Sequence, residues 1–283
     1  MARAVAGVAV MLCGALLAPL LRAGTSPPAV RVPLVVDESY DASVLTYVAG
    51  GLALRALVAV PRTPPPPGGF PVIVANHGFH PEPARYGYTA DGRNLRPGDY
   101  YRAVPRWYTA AGLLVVMPDY RGHNDSEGSS QRDSPDAARE YGADVAALLE
   151  VLPQLAEANP GRVLLWGHSL GAAVTLQALA HATRGGHHER VRVLGASLWS
   201  GSGAASALGD LEVPILIQHA RADAVAPAAD SEQLGRVLAL RGRLEALHLL
   251  PGADHFFAGA QAAAAVERDV RFFRRLIAEA ESK

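Results

Sequence analysis

Cysteine is nearly absent from this chain of 283 residues: Cys13 is the only one, and it lies inside an apolar run at the amino terminus. If that run is removed as a leader, no thiol remains, which excludes structural disulfides, thiol catalysis and cysteine-based zinc sites from the mature chain. Lysine is as scarce, with Lys283 the single example, so the cations are arginines. Net charge is -1 and no long basic run or basic amphipathic helix occurs, which argues against nucleic acid as a partner. Charged residues make up only 19% and hydrophobic ones 49%, enough for a substantial buried core.

The charge-free stretch 4–21 follows Arg3 and is followed by Arg-Ala-Gly-Thr and the prolines of SPPA. A cationic flank, an apolar run and small residues are the parts of an export signal, so residues 1–24 are read as a signal peptide. A membrane anchor is the alternative, because the run nears the length a bilayer needs. Export to the periplasm or exterior, or anchoring through residues 4–21, is therefore the expected location. Oligomeric state has no sequence signature here.

Past the leader, VRVPLVV (30–36) and LALRALVAV (52–60) are β-rich, and RTPPPPGGF is a stiff connector. Six more short apolar runs follow: PVIVANHG (71–78), LLVVMPDY (113–120), RVLLWGHS (162–169), VRVLGASLW (191–199), VPILIQHA (213–220) and LEALHLLPGADH (244–255). Their hydrophobicity is continuous rather than alternating, as in strands covered on both faces. Helical patterns at 136–157, 170–183, 230–240 and 262–281 separate the later ones. The alternation predicts one α/β domain over 25–283 with a mostly parallel sheet of about eight strands, and chemistry beyond the strands' carboxyl ends.

LLWGHSLGAA contains Gly-x-Ser-x-Gly, a pattern expected by chance roughly one time in seven in a chain this rich in glycine. Its address is more telling than its letters. Ser169 ends a buried strand and begins a helix, where a sharp turn exposes a hydroxyl and Gly167 and Gly171 leave room for close packing. Serine needs a base, and that base an orienting acid. His255, just past the last strand in LLPGADHFF, fits the base, and Asp223, beyond the preceding strand in ILIQHARADAVAP, fits the acid. Asp254 adjoins His255 but is poorly placed to face its ring, and Asp210 and Asp230 fall an element too early or too late. Oxyanion donors are expected from the amides of Leu170, which follows the serine, and Phe79, in the loop after PVIVANHG. His77 is read as a buttress of that loop. His168 is taken as packing beside the site and contacting substrate there. His187 and His188 lack a third ligand at metal-binding spacing, and the reading requires neither metal nor cofactor.

The order Ser169, Asp223, His255, together with HGF, GHSLG and the segment MPDYRGHNDSEG (117–128), resembles the α/β-hydrolase superfamily, in particular its dienelactone-hydrolase-like and prolyl-oligopeptidase-like branches. The resemblance spans about residue 71 to the carboxyl terminus and implies an α/β-hydrolase fold. It also assigns Asp119, Arg121 and His123 a structural part at the site rim. Dienelactone hydrolases carry a cysteine where this chain has Ser169, no propeller-sized segment precedes the strands, and residues 200–212 are too few for a large cap. Residues 80–108 form a long Pro-, Gly- and Tyr-rich insertion, read as a substrate-facing rim in which Tyr86 and Tyr88 are the expected contacts. The expected activity is hydrolysis of carboxylic esters or related small acyl compounds through an acyl-enzyme. An exported peptidase of the prolyl-oligopeptidase type acting on short peptides, and a thioesterase or acyltransferase, are the alternatives.

Overall fold

The computed structural model describes residues 28–34, 39–85, 103–131, 133–184, 190–201, 208 and 211–282. The leader, Tyr86, Tyr88, His187, His188 and Asp210 lie outside the described residues. Nine described strands form a single sheet: β1 (Val30–Leu34), β2 (Tyr40–Ala49), β3 (Leu52–Pro61), β4 (Phe70–Asn76), β5 (Leu114–Asp119), β6 (Ala158–His168), β7 (Val193–Trp199), β8 (Ile215–Ala220) and β9 (Leu244–Leu250). Their order across the sheet is β1-β2-β3-β5-β4-β6-β7-β8-β9. The pairs β1/β2, β2/β3 and β3/β5 are antiparallel, and every pairing from β5 through β9 is parallel.

The apolar runs are continuous because the parallel strands are covered twice. Val72 and Val74 of β4 belong to one core, whereas Ile73 and Ala75 belong to the other. Helices α2 (Ala137–Leu149), α3 (Leu170–Arg184) and α4 (Ala228–Leu240) pack on the first side, and α1 (Ala103–Ala110) and α5 (Gly259–Glu281) on the second. Strand order reverses around β4, with β5 on one side and β6 on the other. In an open α/β sheet that reversal opens a crevice at the carboxyl ends, and both the segment after Asn76 and Ser169 emerge there.

Three expectations are corrected. The sheet has an additional strand, β2, whose alternating burial marks a half-covered antiparallel strand rather than a continuous apolar run. It joins β3 through Gly50 and Gly51, both at positive φ, as a two-residue hairpin turn requires. The helix expected over 136–157 stops at Leu149 and gives way to a short 3-10 turn, Leu152–Gln154. Pro153 accounts for the break, because its ring would clash with the carbonyl four residues back and it has no amide to donate. Finally, the end of the 80–108 insertion is not a rim: residues 103–108 belong to α1, whose Val104 and Tyr108 are wholly buried.

Candidate active site

Ser169 occupies the tight turn between β6 and α3 at φ +54°, a left-handed conformation costing a side chain about 1–3 kcal/mol. The surroundings impose it. The Ser169 amide donates to the Trp199 carbonyl at the end of β7 (2.9 Å), and its own carbonyl accepts from Ala172 (3.0 Å). Both flanking glycines are sterically required. A Cβ on Gly171 would lie 2.0 Å from the Asn76 carbonyl oxygen, and one on Gly167 would lie 2.2 Å from that of Gly171. The ends of β4 and β6 are thus pressed against the start of α3.

Asp223 lies in the turn after β8 and His255 in the loop between β9 and α5. They meet: His255 Nδ1 donates to Asp223 Oδ2 at 2.8 Å, with both side chains buried. Asp223 Oδ1 accepts the Val225 and Ala226 amides, each at 2.8 Å. Burial alone would raise the Asp223 pKa, but the Ala226 amide, the His255 ring and the Val225 amide outweigh it and hold the carboxyl below its ordinary value. With Nδ1 directed at Asp223, Nε2 is the other nitrogen of His255. Asp254 is engaged elsewhere, accepting the Phe256 amide at 3.0 Å.

Ser169 and His255 line one cleft of about 280 Å³ with Gly78, Phe79, Pro81, His168, Val225 and Phe256. Phe79, Val225 and Phe256 belong to the few large apolar side chains left exposed among the described residues. Leu170 is the first residue of α3, so its amide belongs to the helix's first turn, whose N–H groups have no partner within the helix. His168 lines the cleft, yet its Nε2 donates to the main-chain carbonyl of His255 at 2.9 Å, so it also fixes the loop that carries His255.

The rim residues expected to be structural pack as such. The His77 ring stacks on Tyr120 at 4.1 Å, while Tyr120 donates its hydroxyl to the His77 carbonyl at 3.0 Å. Arg121 pairs with Glu140 at 2.8 Å and with the buried Asp144 at 2.6 Å. Asp119 accepts from Asn124 at 3.1 Å, and burial raises its pKa well above the ordinary value. Burial also lowers the pKa of His123 to about 4.

Two functional neighbours went unread in the sequence. Asp269 of α5 is fully buried and accepts four hydrogen bonds: from Ser197 (2.5 Å), Tyr108 (2.7 Å), Gln218 (2.8 Å) and Trp199 (2.9 Å). Trp199 in turn stacks on Phe257, two residues past His255, at 4.9 Å, and its carbonyl holds Ser169. Its signal was an acid inside an apolar stripe, at helical spacing from Ala262, Ala265, Phe272 and Leu276. The second is His219, fully buried at the end of β8 near Asp223. Among the described residues no three His, Cys, Asp or Glu side chains converge as metal ligands do, and no helix is long and apolar enough to cross a membrane.

Residues 71–201 match the family model described as serine aminopeptidase, S33. None of the curated proteins compared matches the chain. Among solved structures, the fold is similar to that of Est1E from Butyrivibrio proteoclasticus, solved with ferulic acid bound, at 14% identity and a TM-score of 0.59 over 84% of this chain and 99% of that one. Acetyl xylan esterase 1 from Thermoanaerobacterium sp. JW/SL YS485 is similar at 16% identity and a TM-score of 0.57, over 89% of each chain. Dipeptidyl peptidase 4 of Porphyromonas gingivalis is similar at 14% identity and a TM-score of 0.60, over 84% of this chain but only 36% of that one. Strand order, the turn at Ser169 and these shared folds agree that the chain has the α/β-hydrolase fold, and its residues 71–201 are similar to the serine aminopeptidase S33 family.

Proposed function

We propose that the protein is a serine hydrolase that cleaves small carboxylic esters through an acyl-enzyme on Ser169. The observation that carries the reading is the His255–Asp223 pair, 2.8 Å apart, facing the cleft into which the strained turn presents Ser169. His255 Nε2 takes the Ser169 proton as Oγ attacks the ester carbonyl, and Asp223 stabilises the imidazolium that forms. The amides of Phe79 and Leu170 receive the oxyanion, aided by the positive end of α3. The imidazolium then protonates the departing alkoxide, leaving Ser169 acylated. Water, deprotonated by His255, attacks the acyl carbonyl, and Ser169 departs with the proton as the carboxylic acid is released.

The cleft supports a small, uncharged acyl compound. At about 280 Å³ it is at the low end for small-molecule sites. Phe79, Pro81, Val225 and Phe256 make its described wall largely apolar, and none of the described lining residues is Asp or Glu. A peptidase that reads a free amino terminus must compensate an ammonium charge, which this wall does not do. The aromatic acid bound to Est1E suits a cleft with two phenylalanines at its mouth. Under the same reading, the apolar run 4–21 exports the enzyme or anchors it, so its substrates are met outside the cytoplasm.

The test compares p-nitrophenyl acetate, butyrate and octanoate with an aminoacyl-naphthylamide. Ester turnover falling from the short chains to octanoate is expected. A kcat/KM for the naphthylamide above that for every ester would replace the esterase reading with a peptidase.

A further inference from the structure

We propose that His219 is a positioning residue for Asp223, an inference that rests on the triad reading above. Packing holds the Asp223 turn on one side only, since Arg221, Ala222, Ala224 and Val225 are exposed while the Asp223 side chain and Ala226 are buried. Directed bonds hold it as well. Oδ1 takes two backbone amides, and Oδ2 takes His255 at 2.8 Å. On the other side of Oδ2 stands His219, whose Nε2 lies 3.4 Å from Oδ2 and 3.0 Å from the Ala226 carbonyl.

Two acceptors at Nε2 require a hydrogen on that nitrogen. Its direction is set from behind: Nδ1 is 2.7 Å from Ser231 Oγ, on α4, and accepts the hydroxyl proton. The ring therefore ties together the end of β8, the Asp223 turn and the first part of α4. Ala226 is part of the same clasp, for its amide donates to Oδ1 while its carbonyl receives His219. The closed circuit fixes the plane of the carboxylate and keeps Oδ2 facing His255. Without the Nε2–H, the Ala226 carbonyl loses its donor, and the turn is free to rotate the carboxylate away from His255. His219 is not among the described residues that line the cleft, so the proposed role runs through Asp223.

The experiment compares wild type, His219→Phe and His219→Gln in p-nitrophenyl butyrate hydrolysis and in the rate of Ser169 labelling by a fluorophosphonate, with folding checked by circular dichroism. Phenylalanine keeps the ring and removes both nitrogens, whereas glutamine returns an N–H near the position of Nε2. His219→Phe is expected to lower kcat and the labelling rate about 10- to 100-fold, with KM unchanged, because a donor to a buried charged cluster is lost. His219→Gln is expected to recover most of that loss. Wild-type kcat in a folded His219→Phe, equal losses in both variants, or a loss confined to KM would each overturn the proposal. If His219→Phe does not fold, Ser231→Ala carries the test: a several-fold lower kcat at constant KM supports it, and an unchanged kcat overturns it. A wild-type protein that neither labels nor cleaves any ester overturns the serine-hydrolase reading itself, so the two failures are distinct.

Discussion

His168 donates its Nε2 hydrogen to the main-chain carbonyl of His255 across 2.9 Å, and the two rings lie 4.7 Å apart. The residue that precedes the proposed nucleophile thus holds the backbone of the proposed base. His168→Ala should free the loop between β9 and α5 and lower kcat about tenfold, the effect of losing one buried hydrogen bond to a positioned group. Steady-state kinetics on p-nitrophenyl butyrate check this, with KM expected to move less than kcat. A kcat at the wild-type level would show that Phe257, packed on Trp199, fixes the loop unaided.

Gly171 tolerates no side chain. Its Cβ would sit 2.0 Å from the Asn76 carbonyl oxygen and 2.6 Å from that of His77, both backbone atoms with little freedom to withdraw. Gly171→Ala is expected to destabilise the fold by about 3 kcal/mol or more through overpacking, and to displace the turn carrying Ser169. Thermal unfolding checks it. Gly242→Ala is a control in the opposite sense of space: nothing lies within 4 Å of its added Cβ, and only its positive φ penalises the change.

Asp269 gives stability a pH dependence. Burial pushes its carboxyl up to about 7 from an ordinary 3.8, against the pull of its four donors. The folded chain therefore binds this proton more tightly than the unfolded chain. The stability it contributes is complete below pH 3.8 and is lost as pH rises through about 7. His123, lowered from 6.5 to about 4, acts in the opposite sense: the folded chain resists its protonation, so stability falls as pH drops through that window. Unfolding free energies measured from pH 5 to 8 should fall with rising pH by more in wild type than in Asp269→Asn, which has no group to titrate there. Parallel curves for the two proteins would contradict the shift.

Much of this site was legible because each part had its own local signature. The strands β4 to β8 announced themselves as continuous apolar runs, since helices cover both faces. Ser169 and Asp223 stood at two of the carboxyl ends that such runs define, and His255 followed the partly buried edge strand β9. What escaped notice had no such signature. Strand β2 alternates, with Leu45 and Tyr47 inward and polar residues between, and hides among loop-like letters. Helix α1 begins inside a stretch of prolines, tyrosines and charges, so its burial of Val104 and Tyr108 depends on tertiary packing. Asp269 and His219 act through partners distant in sequence or on another element, and a side chain's partners across a fold are not written in its neighbours.

The measurement that bears most directly on the central claim is covalent labelling by a fluorophosphonate, with the modified peptide identified by mass spectrometry in wild type and Ser169→Ala. A single adduct on Ser169, its absence in the variant, and a fall in p-nitrophenyl butyrate turnover of at least about a thousandfold are predicted. An adduct on another residue, or a folded Ser169→Ala that still turns over the ester at the wild-type rate, would contradict the account.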